Sequence, residues 1–211
     1  MHIPQQTHPT IHLVRDCRGE VVGQLDSPSA LAGLYPDLIL QMAARLEDEG
    51  TPDQYDDLWE LILTHWFPSS EGYTLHRHWQ VPYLRDRDGL DKVTIVVKTN
   101  AGIPVVLLDI SPPRGFDNWH SRAAAQALST DHFEHVAPYY DYPLCAISAM
   151  GKKWTAFQSI SSHLTAHEAR AFGEENIDWM EDIVSEPSYE MLERFFAVLK
   201  ERIQSVSRGV A

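Results

Sequence analysis

Cysteine is scarce in this chain. Only Cys17 and Cys145 occur, far apart and without a CxxC or a Cys–His spacing around them. That excludes a disulfide framework and points to reduced thiols in an intracellular setting, cytoplasmic or nuclear. Positive charge is also in short supply: 17 Lys and Arg stand against 30 Asp and Glu, for a formal charge of −13. Nucleic-acid binders gain affinity by neutralising phosphates, so this balance opposes a nucleic-acid partner. Nowhere do about 18 apolar residues run together, which excludes an ordinary membrane-spanning helix and a membrane partner with it. The opening "MHIPQQTHPTIHLVRD" has no apolar core, so no secretory signal is expected. P-loop, GxGxxG and GxSxG patterns are absent, as are internal repeats.

What is present fits an α/β domain. At 211 residues the chain is long enough for one domain with a substantial core. Residues 11–25 read as a short hairpin around Arg18 and Gly19. Leu38, Ile39, Met42 and Leu46 make a helical stripe over residues 35–49, which Gly50 ends. Thr51 and Pro52 then open a second helix, to about His65. "YTLHRHWQVP" alternates with period two and predicts a strand, followed by a charged turn, "RDRDG". Residues 91–99 and 104–110 flank "NAG" as a hairpin. Asn118 caps a helix to about His135, and "YPLCAISAM" and "KKWTAFQS" make two strands around Gly151. An acidic stretch over residues 174–186 precedes an amphipathic helix from Ser188 to about Val206.

Within "VVLLDISPPRG" an apolar strand ends on Asp109, and Ser111 follows before two prolines. This order of helix, three strands, helix and strand, with acids opening one strand and closing the next, resembles the PD-(D/E)XK (restriction-endonuclease-like) superfamily. Pro112, Pro113 and "PLCAISAMGKKWTAF" are similar to a divergent, fungal-like subgroup of it. The resemblance covers residues 52–158, with an extension over 1–51 and the acidic segment and last helix over 159–211. It implies a central mixed sheet flanked by helices, with Asp91 and Asp109 as metal-binding acids for Mg²⁺. Ser111 stands where that family has its lysine. Glu60 falls where some members carry a helical acid, and Gln126 where some carry a glutamine, while Thr130 replaces the tyrosine expected after it.

If the hairpin turns on Asn100, Ala101 and Gly102, its ladder pairs Asp91 with Ser111 and Val93 with Asp109. That register puts the acids on one face with Ile95, Val97, Val105 and Leu107. A one-residue slip would set Lys92 opposite Asp109 as a substitute catalytic lysine, but would also put Lys92, Thr94 and Lys98 on the apolar face. The acid pair is therefore the expected register. Losing a preorganised charge beside the metal costs roughly 10²–10³ in rate, so the serine speaks against cleavage.

Three functions follow as expectations. The first is a repurposed cleft for a small molecule, built by Asp91, Asp109, Ser111, His120 and Arg122, with Trp119 and Phe116 nearby. The second is a Mg²⁺-dependent nuclease with a relocated lysine, Lys92. The third is a non-catalytic module for a protein partner, using its acidic surface or last helix. Charge and the missing lysine favour the first and third over the second; a deep pocket at Asp109 would favour the first, and a flat apolar patch on the last helix the third. His76 and His78 have a zinc-like spacing without a third ligand, and His132 and His135 share a helix face; both pairs read as ordinary polar residues.

Overall fold

The computed structural model describes residues 13–15, 21–24, 34–47, 50–81, 92–140, 142–159 and 177–209. Two short antiparallel strands come first, β1 (Leu13–Arg15) and β2 (Val21–Gln24), where the hairpin was expected; its turn lies outside the described residues. The rest is a helix–sheet–helix sandwich. Helices α1 (Asp37–Arg45) and α2 (Pro52–Trp66) lead into β3 (Tyr73–His76), β4 (Val93–Thr99) and β5 (Pro104–Ser111). Helix α3 (Trp119–Val136) connects to β6 (Leu144–Met150) and β7 (Lys153–Ser159), and β8 (Ile177–Met180) precedes the long α4 (Glu186–Ser207). The six strands β3 to β8 lie in sequence order, antiparallel except for the parallel β5–β6 pair. Parallel neighbours need a crossover, and α3 supplies it. No helix among the described residues is long and apolar enough to cross a membrane.

Local chemistry explains the helix ends. Pro52 occupies the first turn of α2, and the Gln54 side chain accepts from Thr51 N at 3.0 Å. The Asn118 side chain accepts from His120 N at 2.9 Å to start α3. Both sheet faces are covered. Ile95, Val97, Leu108, Ile110, Ile147 and Trp154 pack against α2 and α4, and Val96, Leu107, Ala146 and Phe157 pack against α3. Trp59 Nε1 donates to Gly151 O at 3.0 Å, tying α2 to the β6–β7 turn. Gly151 has φ +68°, and a Cβ there would meet Pro113 Cβ at 2.8 Å, so only glycine suits that approach.

Three expectations need correction. Strand β3 stops at His76, because Arg77 and His78 bend away and His78 takes φ +49°; the alternation through Val81 is not one strand. Strand β8 falls inside the acidic stretch that was read as tail. The β4–β5 register also differs. Lys98 pairs with Pro104, but Val97 pairs with Val106, so Val105 is an extra residue on β5. Beyond that irregularity Thr94, not Val93, faces Asp109, and the carboxylate joins Val96 and Leu107 on the α3 face. The hydrophobic pattern could not choose, since Val93 to Val97 and Val105 to Ile110 are buried on both faces.

The apolar stripe of α4, including Leu192, Phe195, Phe196, Leu199 and Ile203, is part of the main core. Leu199→Ala should therefore cost about 2–5 kcal/mol, read as a lowered midpoint in urea unfolding. An unchanged midpoint would mean that the helix does not hold the sheet.

Candidate functional site

Asp109 sits near the end of β5, 1 % exposed. Its neighbours across the sheet form a polar row beneath α3: Thr94 on β4, Ser148 on β6 and Thr155 on β7, all buried. From above, α3 contributes a stripe at helical spacing, Ala125, Ser129, His132, Phe133 and Val136. Two of these five are polar, and both point their chemistry at the sheet. Ser129 Oγ donates to Ile147 O at 3.4 Å, and His132 Nδ1 lies 2.7 Å from Asp109 Oδ1. Thr94 Oγ1 donates to the same carboxylate oxygen at 2.8 Å. An ionised carboxylate only accepts, so the imidazole Nδ1–H is the donor in this contact. Asp109 Oδ2 and Ser148 Oγ are buried without a partner among the described residues.

The expected site residues divide into those that meet and those that do not. Asp91 lies outside the described residues, so the acid pair is not located. Ser111 is half-buried at the end of β5, level with Met150. Continuing the register one step past Val93 and Ile110 brings Lys92 level with Ser111, two positions beyond the Asp109 pair. Gln126 is half-buried on α3. Trp119 is 63 % exposed and stacks on His120, ring centroids 3.6 Å apart. Arg122 Nη1 donates to Phe116 O at 2.5 Å. Glu60 belongs elsewhere, because α2 covers the opposite sheet face from α3. His132 and Thr94 were not foreseen as partners of Asp109. The i, i+4, i+7, i+8 stripe of α3 holds the signal for His132, but only once α3 is known to cover this face.

Glu60 joins a second polar cluster on α2. Arg77 Nε lies 3.1 Å from Glu60 Oε2, and its Nη1 lies 2.5 Å from Asp57 and 3.4 Å from Asp56. His78 Nε2 adds a contact to Asp56 at 3.3 Å. Asp56 is 4 % exposed, and burial raises its carboxyl above the usual aspartate range, against the pull of Arg77 and His78. His76 is exposed beside Thr74, and His78 is turned to Asp56, so the pair does not act as one strand face. Burial likewise raises the Cys145 thiol, which makes it an inert core group.

As placed, Asp109 does not fit a hydrated Mg²⁺. The ion keeps several waters in an octahedral shell, whereas one carboxylate oxygen already accepts twice and the other has no access to solvent. No group of three or more His, Cys, Asp or Glu among the described residues could hold a metal ion. A groove of about 550 Å³ does exist, but at the other end of the sheet, among Tyr73, Asn100, Tyr142, Gln204, Ser207 and Arg208.

Two measurements follow. Removing one partner of the buried pair should be severe: His132→Ala and Asp109→Ala should each cost about 3–5 kcal/mol, and the double variant should cost clearly less than their sum in urea unfolding. Strict additivity would show that the contact carries no coupling. For Asp56 the sign follows from linkage. A carboxyl raised in the fold binds its proton more tightly folded than unfolded, so stability falls as pH climbs from the ordinary 3.8 through the folded value. Asp56→Asn should flatten that fall; an identical pH profile in variant and wild type would refute it.

Compared with protein-family models, curated proteins and solved structures, the chain matches none, and the chemistry of this site has to be read from its own residues.

Proposed function

We propose that this chain has a restriction-endonuclease-like core whose strand-end acid no longer serves metal-dependent cleavage, and that the cleft beside it takes a small molecule. The observation that carries this reading is the engagement of Asp109 by Thr94 and His132 at 2.8 and 2.7 Å, in a position closed to solvent. A metal-binding acid must present its oxygens to the ion; this one directs an oxygen at a helix instead. Supporting it are the order α2, β3, β4, β5, α3, β6, the acid that closes β5, and the serine two residues on. The charge of −13 opposes a polyanion, the more so wherever acids cluster within a Debye length of about 8 Å.

One observation favours the nuclease as a second reading. Lys92 immediately precedes β4, and the β4–β5 register extended one step brings it level with Ser111, from where it would bring a positive charge to the position the family gives its lysine. The protein-interaction reading loses ground, because the apolar stripe of α4 is spent on the core. Large exposed apolar side chains among the described residues are scattered, at Leu38, Trp119 and Tyr139.

Purified protein with Mg²⁺ or Mn²⁺ should leave single- and double-stranded DNA and RNA intact. Wild type, Asp109→Ala and Lys92→Ala are the comparison. Metal-dependent cleavage that both substitutions abolish would overturn the reading and restore a nuclease using Lys92.

A further inference from the structure

Past the end of β5 the chain turns through residues 112–118 and delivers Phe116 to a small satellite core with Ala125, Met150 and Trp179. Three polar groups converge on this one ring. Arg122 lies with its guanidinium carbon 5.2 Å from the ring centroid, and Lys153 Nζ lies 4.3 Å from it. Trp179 packs edge-on at 5.3 Å, and its indole Nε1 is buried without a partner among the described residues. All three groups are donors; none can accept. Two cations that share a ring also repel each other, and this chain is poor in cations to begin with. Their compensation is thin. Among the described residues Lys153 meets only the exposed carboxylate of Glu181, at 3.7 Å, and no carboxylate of those residues pairs with Arg122. A donor-only cluster with surplus positive charge is complementary to an acceptor-only ligand.

The geometry points to an oxyanion site at Phe116, formed by Arg122, Lys153 and the Trp179 indole, which takes the phosphate or carboxylate of a small molecule. This deepens the small-molecule reading and rests on it for its biological sense, though the site uses neither Asp109 nor a metal. The ring serves as a platform that holds both cations by their attraction to its face. Exposed Trp119, three residues before Arg122, offers a flat apolar surface for the body of such a ligand.

The test is a ¹⁵N-resolved NMR titration of the full chain with inorganic phosphate and, separately, with acetate, at constant ionic strength held by NaCl. The Trp179 indole N–H resonance, assigned through Trp179→Phe, should move in a saturable way with at least one of the two, and the stronger anion names the ligand class. Lys153→Gln should weaken that binding about tenfold. Arg122→Gln should do the same, but it also removes the bond to Phe116 O, so Lys153→Gln carries the conclusion. An unmoved indole resonance, the same shift with NaCl alone, or undiminished affinity in Lys153→Gln would overturn the site. Failure here is separable from failure of the proposed function. Cleavage of nucleic acid with an intact phosphate response sinks only the latter. Absence of both cleavage and response sinks only the former.

Discussion

A carboxylate closed off from water must find its hydrogen bonds inside the protein, and Asp109 is such a group. It lies on a strand covered on both faces, so water cannot solvate it, and burying an ionised group unpaired would cost several kcal/mol. Thr94 and His132 answer that demand from a neighbouring strand and from α3. The two bonds therefore hold more than a side chain: they tie β4 to β5 and α3 to the sheet. The nonpolar contacts of Val96, Leu107, Phe133 and Phe157 then close around that arrangement. Hydrophobic packing alone would tolerate α3 sliding by a turn; the carboxylate does not.

The two faces of the sheet are built on different terms. Beneath α2 and α4 the packing is almost wholly apolar, with aromatic edge contacts such as Phe67 on Phe196 at 4.9 Å and a buried Trp154 that donates to Ser188 Oγ. Beneath α3 a polar row crosses four strands, and Asp109 Oδ2 and Ser148 Oγ lack partners among the described residues. The first face supplies stability. The second gives up some of it in exchange for a fixed set of hydrogen-bonding groups, the trade expected where a fold carries chemistry.

Much of this fold is legible in the sequence, for reasons that can be assigned. Helices α2 and α3 declare themselves through Pro52 and Asn118 at their starts, and β6 and β7 through apolar runs on either side of Gly151. Helix α4 is marked by a stripe wide enough to need a partner. Other features depend on information that no local pattern holds. Strand β8 has four residues, three of them polar or half-exposed, and holds its place only by pairing with β7. His78 takes a left-handed backbone that its residue type does not advertise. His132 became a site residue only when α3 was laid across β5, since i, i+4 spacing says which residues share a face and not what the face meets.

The extra residue at Val105 sets the phase of everything after it on β5. Side chains alternate along a strand, so one residue more or less exchanges inside for outside on all that follows. Without it Asp109 would look toward the apolar core beneath α2, among Trp59, Ile62 and their neighbours, and Ile110 would look toward His132. No sequence of single side-chain replacements converts one arrangement into the other gradually, because every intermediate would hold a carboxylate against Trp59 and its neighbours or an isoleucine against an imidazole. The chemistry of the α3 face is thus inherited as a unit, locked in by a hairpin at the far end of the sheet that touches none of it.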